Sequence, residues 1–172
     1  MDKAKSYSQQ LRNKASNNQG RLFENLIDQA CLYYRNKGDA VIEKTPEPFR
    51  VKKKNVDGTF TGWFTGLAQP DYKGTLAGGQ AIAFEAKMTS ADRMKKSVVT
   101  DHQAACLELH AEMGARVGVC CMIRKTVGFV PWSVWSEMKQ IYGRQYINEN
   151  ELKKFEVPIL GYIDFLCLSK VR

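Results

Sequence analysis

Ala81-Ile82-Ala83-Phe84-Glu85-Ala86-Lys87 decides the reading of this 172-residue chain. Side chains alternate across a strand, so Ile82, Phe84 and Ala86 face one way. Glu85 and Lys87 face the other, together with the small Ala81 and Ala83. Two residues advance about 6.5 Å along a strand. A carboxylate and an ammonium therefore stand side by side over small residues that leave room. Upstream, Tyr72 opens a second strand, and Gly78-Gly79 joins the two as a hairpin. That pairing brings Asp71, fourteen residues ahead of Glu85, back beside it. Two carboxylates meeting at one point repel, and a divalent cation relieves the repulsion. Mg²⁺ suits the pair because it takes few protein carboxylates, keeps waters and accepts phosphate oxygens. Lys87 is placed to orient or deprotonate a water on such an ion. The plain alternative is an exposed Glu-Lys pair on an edge strand, since a lone D…E-x-K match arises by chance.

Working outward, Asn17 to Gly38 is predicted as a helix with Phe23, Leu26, Ile27, Ala30, Cys31 and Tyr34 as its apolar stripe. Glu24 borders that stripe; otherwise it is a first-turn carboxylate at the helix dipole. Ala40 to Lys44 is a short strand. Residues 50–68 form a Gly-rich excursion with a Lys run, Phe60, Trp63, Phe64 and an Asp57-Gly58 hairpin signal. Asp101 to Met113 is a helix with Cys106, Leu109 and Met113 inward and His102 near that face. Thr100 and Gln103 make a capping box there, which competes with any site role for Gln103. Arg116 to Arg124 is a strand buried on both faces, with Cys120 and Cys121 in the core. Gly128 to Val130 is a strand, and Pro131 starts a helix to Tyr142 that packs Trp132 and Trp135. Asn148 to Phe155 is a short helix and Ile159 to Leu168 a final strand. The class is α/β with a mixed sheet in a single domain over 20–172, preceded by a flexible basic arm over 1–19.

Composition narrows the partners. The chain carries 26 Lys+Arg against 18 Asp+Glu, net +8. Residues 1–21 hold five basic residues and one acidic one, and residues 44–54 hold the same, so these two clusters contain a surplus equal to the whole net charge. Two basic runs, one followed by aromatics, suit a polyanion as well as a solvated surface. Hydrophobic residues make up 44% of the chain, enough for a core and too many for a disordered basic tail. The apolar run Val117 to Ile123 is too short to span a membrane, and Met1 to Lys5 leads into no signal peptide. Five cysteines without a C-x-x-C pair, and two histidines, argue against a disulfide framework or structural zinc and for the cytoplasm.

Taken in order, these pieces resemble the RecU-type Holliday junction resolvases of the PD-(D/E)xK nuclease superfamily. Gly20-Arg21-Leu22-Phe23-Glu24 is similar to the family's opening helix motif, and Ala40 to Pro46 to its strand ending in a basic residue and proline. Asp71-Tyr72-Lys73-Gly74 resembles D-Y-x-G, Phe84-Glu85-Ala86-Lys87 with Thr89 resembles F-E-A-K-x-T, and His102-Gln103 resembles H-Q. Pro70 and Met88 depart from the usual pattern, as does the segment 90–100. The resemblance implies a restriction-endonuclease-like fold with a protruding stalk hairpin at about 50–68. It implies a homodimeric, Mg²⁺-dependent enzyme, with Mn²⁺ as a substitute ion, that cuts four-way DNA junctions and meets other recombination proteins. Asp71 and Glu85 would hold the metal with the Ala86 carbonyl, Lys87 would position the attacking water, and Glu24 and Gln103 would complete the site. The DNA contacts would be Arg12, Lys14, Lys44, Arg50, Lys52, Lys53, Lys54 and Lys73. Two readings remain beside it: a duplex restriction or repair nuclease, and a DNA-binding module without activity. Three carboxylates in a phosphate groove would repel DNA, which favours catalysis with a metal.

Overall fold

The structure is a computed structural model; it describes residues 2–46, 48–64 and 69–167, with side chains from Asn18 onward except that of Phe64. Helix α1 spans Asp2–Lys37. The boundary expected at Asn17 is therefore absent, and the basic stretch is the first part of α1. Ala, Gln, Lys and Arg there are good helix formers without an apolar stripe to announce them. The expected stripe is in place: Phe23, Ile27, Ala30, Cys31 and Tyr34 are buried.

Strand β1 (Ala40–Lys44) turns Ala40 and Ile42 inward. The excursion becomes a ribbon of its own, β2 (Phe49–Lys54) antiparallel to β3 (Phe60–Phe64), with a bulge between Val51 and Lys53. Gly58 turns it at φ +81°, with Asp57 accepting from Thr59, as the Asp57-Gly58 signal predicts. Residues 65–68 at the base of the expected stalk lie outside the described residues. Strands β4 (Tyr72–Leu76) and β5 (Ala81–Thr89) form the expected hairpin, and Gly78 and Gly79 take φ +89° at its turn, where a side chain would be strained. Gly74 is needed for another reason: a Cβ there would come within 2.1 Å of the Val41 carbonyl of β1.

A short strand, β6 (Arg93–Lys95), leads to helix α2 (Asp101–Glu112). Then follow β7 (Arg116–Ile123), β8 (Thr126–Pro131), helices α3 (Trp132–Ser136) and α4 (Met138–Tyr142), strand β9 (Tyr146–Asn148) and helix α5 (Glu149–Leu152). The main sheet runs β1-β4-β5-β7-β8, antiparallel except for β5 with β7, so it is mixed as expected. The parallel pair needs a crossover, and α2 supplies it. One core lies between the sheet and α1, centred on Tyr72, Phe84, Phe129 and Phe165; Tyr72 and Phe84 stack at 5.0 Å. The other lies under α2 to α5 and holds Leu107, Trp132, Trp135 and Met138. Cys120 and Cys121 are buried, as read from the sequence.

Four expectations are corrected. On α2, Leu107 is the buried residue, while Leu109 and Met113 are 62% and 82% exposed and His102 is exposed. The face is set by Gln103, which turns Ala104, Leu107 and Ala111 toward the sheet. The helix from Pro131 to Tyr142 breaks at Glu137, where Lys96 Nζ takes the Ser136 carbonyl at 2.6 Å. Residues 159–167 form no strand beyond one Ile159–Ile163 bridge. The free edge of β8 is covered by Glu156 and Val157, so this segment buries Ile163, Phe165 and Leu166 against α1 instead. Tyr34 Oη anchors it, donating to Asp164 at 2.7 Å and accepting from Leu166 N at 3.1 Å. Finally, the β6–β9 ribbon was not read from the sequence, because three residues a side give too little alternation. Among the described residues no helix is long and apolar enough to cross a membrane.

Candidate active site

The β4–β5 register places the carboxylates. Tyr72 pairs with Phe84, so Asp71 falls opposite Glu85 one step on. Tyr72 and Phe84 point to the α1 core, and alternation turns Asp71, Glu85 and Lys87 to the α2 side. The Asp71 carbonyl is fixed by Thr45 N at 2.8 Å. Asp71 Oδ2 accepts from Ala86 N at 2.9 Å and from Lys87 Nζ at 3.2 Å. Glu85 Oε2 accepts from Lys87 Nζ and from Gln103 Nε2, each at 2.6 Å. Four of the five residues expected in the site are therefore joined in one network.

Glu85 is fully buried, and its second oxygen, Oε1, meets no hydrogen-bond donor among the described residues. Burial first, and the Asp71 charge second, push its carboxyl up to about 7, against the pull of Lys87. Burial works to lower the Lys87 ammonium, but Asp71 and Glu85 together hold it above its ordinary value. A buried acid with one oxygen pinned and one free, beside a second carboxylate, suits a hard cation. The Ala86 carbonyl belongs to the same strand step. Among the described residues no group of three or more His, Cys, Asp or Glu gathers in a way that could hold a metal ion.

Comparison with known proteins agrees with the motifs. The family model of Recombination protein U matches residues 18–165. The chain belongs to this RecU family. A curated relative, the Holliday junction resolvase RecU of Streptococcus sanguinis, is 31% identical over 115 residues, 62% of this chain and 54% of the relative. The chain thus spans about half the length of that relative. A solved structure, the 1.6 Å structure of Archaeoglobus fulgidus Hjc, a Holliday junction resolvase from an archaeal hyperthermophile, is similar at a TM-score of 0.47 and 16% identity. It covers 78% of this chain and 93% of that one.

In this RecU-family chain the remaining expected residues are spread around the network. Glu24 does not hydrogen-bond into it. Its Oε2 is taken by Lys44 Nζ at 2.6 Å, and that bond, ahead of the charges of Asp28 and Asp71, raises the Lys44 ammonium against its partial burial. Lys44 is thus paired at the rim of the site. Arg50, Lys52, Lys53 and Lys54 lie exposed on β2, and Lys73 donates to Gln69 beside the strand. The side chains of Arg12 and Lys14 lie outside the described residues. Register places Arg50 opposite Trp63, and Lys54 opposite Phe60, whose ring it overlies at 5.8 Å. Cations and half-exposed aromatics therefore share both faces of the ribbon.

The capping box and the site contact of Gln103, competing readings in the sequence, coexist. Gln103 N donates to Thr100 Oγ1 while Gln103 Nε2 reaches Glu85. Thr45 is a residue that sequence reasoning missed; it follows the strand's basic residue directly, and its backbone N–H fixes Asp71.

Proposed function

We propose that this chain is a structure-specific DNA endonuclease that resolves four-way junctions by paired, metal-dependent phosphodiester hydrolysis. The observation that carries the reading is the buried Glu85 with a free Oε1, locked to Lys87 beside Asp71. Asp71, Glu85 and the Ala86 carbonyl would hold Mg²⁺ or Mn²⁺, which supplies Lewis-acid polarisation of the phosphate and a more acidic water. Lys87 stays protonated at neutral pH, so its role is to donate: it holds both carboxylates and orients the attacking oxygen. Gln103 keeps the Glu85 carboxylate from turning. The ribbon, basic and aromatic on an otherwise separate two-stranded sheet, suits phosphates and unstacked bases at a branch point.

The name of the streptococcal relative supports a junction substrate, and the family's name supports a place in recombination. Two nicks on opposite strands need two sites in fixed relation, which suits a C₂ homodimer. Five free cysteines suit a reducing cytoplasm. The test is cleavage of a labelled mobile four-way junction beside a linear duplex of the same sequence, with Mg²⁺ or EDTA, for the wild type, Asp71→Asn and Lys87→Ala. The expected result is symmetric, Mg²⁺-dependent nicking of the junction alone, lost in both variants with junction binding kept. Cutting of both substrates would make the protein a duplex nuclease. Tight binding without cutting in Mg²⁺ would leave a binding module.

A further inference from the structure

The amide of Gln103 has two unlike ends, and only one orientation fits its surroundings. Its Oε1 accepts from Thr100 N at 3.1 Å and from Thr100 Oγ1 at 3.2 Å, while its Nε2 donates to Glu85 Oε2 at 2.6 Å. Turned over, the amide would set its NH₂ against the Thr100 N–H and its oxygen against a carboxylate oxygen. The bonds to the Thr100 N–H and to Glu85 would become repulsions, and only the Thr100 hydroxyl could turn to accept instead. A capping box accepts Glu as readily as Gln at this position. Here a glutamate would push a second carboxylate against Glu85, so the site requires the amide.

We propose that Thr100 is a positioning residue for Glu85: its hydroxyl and backbone N–H fix the Gln103 amide so that Nε2 pins one carboxylate oxygen and the other faces the cation position. The inference rests on the metal-nuclease reading above. Thr100 Oγ1 both donates to Gln103 Oε1 and accepts from Gln103 N at 3.3 Å. Helix start and carboxylate orientation thus depend on one hydroxyl. Glu85 lies fully buried, and its other donor, Lys87, is shared with Asp71. Gln103 is therefore the donor that Glu85 does not share with the second carboxylate.

Thr100→Asp separates the two roles. Aspartate caps a helix at least as well as threonine. Ionised, it has no proton for Gln103 Oε1, and its charge by itself would strengthen cation binding. Thr100→Ser keeps both bonds. The measurements are Mn²⁺ affinity of the full chain without DNA, by electron paramagnetic resonance of the free ion, the melting temperature, and the side-chain amide NMR resonances of Gln103 without metal. Thr100→Ser should match the wild type in all three. Thr100→Asp should melt no lower, yet bind Mn²⁺ about three- to ten-fold more weakly, with the Gln103 amide resonances moving toward those of an exposed glutamine. Thr100→Gly, an N-cap about equal to threonine, reads the same if the aspartate variant melts early. Wild-type Mn²⁺ affinity and unmoved resonances in these variants would overturn the proposal. If Asp71→Asn leaves Mn²⁺ binding intact, the metal reading itself falls, and the proposal with it.

Discussion

Replacing Glu85 by glutamine should stabilise the metal-free protein while abolishing cleavage. The folded carboxyl is raised from 4.5 to about 7, chiefly by burial and then by the Asp71 charge. Between those values the folded state holds more protons than the unfolded chain, so stability falls as pH rises from about 4.5 to 7 and stays lowered above. One pKa unit is worth about 1.4 kcal/mol, which sets a ceiling of about 3 kcal/mol on the penalty at pH 8. Glutamine has the same shape and no charge, and its oxygen can take the donors that Glu85 Oε2 takes from Lys87 and Gln103. For a chain of this length, the ceiling corresponds to a rise in melting temperature of about 6–12 °C. The assay is thermal unfolding by circular dichroism in EDTA at pH 8 and pH 5, for wild type and Glu85→Gln. The difference should be largest at pH 8 and shrink toward pH 5, as the wild type takes up its proton. Adding Mg²⁺ at pH 8 should raise the wild type and leave the variant unmoved. A variant no more stable than the wild type at pH 8, or a difference independent of pH, would refute the reasoning.

Neutralising Lys52, Lys53 and Lys54 to glutamine should flatten the salt dependence of junction binding, by about one unit of log–log slope for each phosphate the ribbon no longer neutralises; an unchanged slope would make them a solvated face. Replacing residues 48–68 by a two- or three-residue Gly-Ser bridge should leave the fold standing, because Thr45 N lies 2.8 Å from the Asp71 carbonyl and the stems of the excursion meet there; circular dichroism should keep its native form while junction selectivity over duplex falls. Leu107→Ala should cost about 2–5 kcal/mol in chemical denaturation, whereas Leu109→Ala should fall within about 0.5 kcal/mol of wild type, since only Leu107 is buried.

The parts of this molecule that the sequence made legible are those governed by a local period. Alternation in Ala81 to Lys87, bounded by two glycines, was enough to place Glu85 and Lys87 on one face and Asp71 opposite. The apolar stripe of α1 was equally plain from Phe23 to Tyr34. Where the outcome depends on a distant partner, the reading failed. Leu109 and Met113 look like an inward face until Gln103 is known to be tied to a strand. Ile159 to Leu166 is apolar enough for a strand, but whether an edge is free for it depends on Glu156 and Val157 covering β8. The start of α1 was missed for another reason: residues 2–16 have helix-forming composition but no amphipathic signature. In the site, Asp71, Glu85, Lys87 and Gln103 come together as expected. Glu24 is instead drawn to Lys44, a pairing across 20 residues that no short motif encodes.

The ribbon leaves and re-enters the domain at almost one point. None of its described side chains belongs to either core, and the chain on both sides is joined directly, Thr45 to Asp71. Evolution can therefore lengthen, shorten or recompose this loop without moving the strand that carries Glu85 and Lys87 by a single residue. On the proposed function, change in the branched shapes that are grasped is decoupled from change in how a phosphodiester is broken. A transplant of the loop between relatives should carry substrate preference with it and leave the host's chemistry where it was.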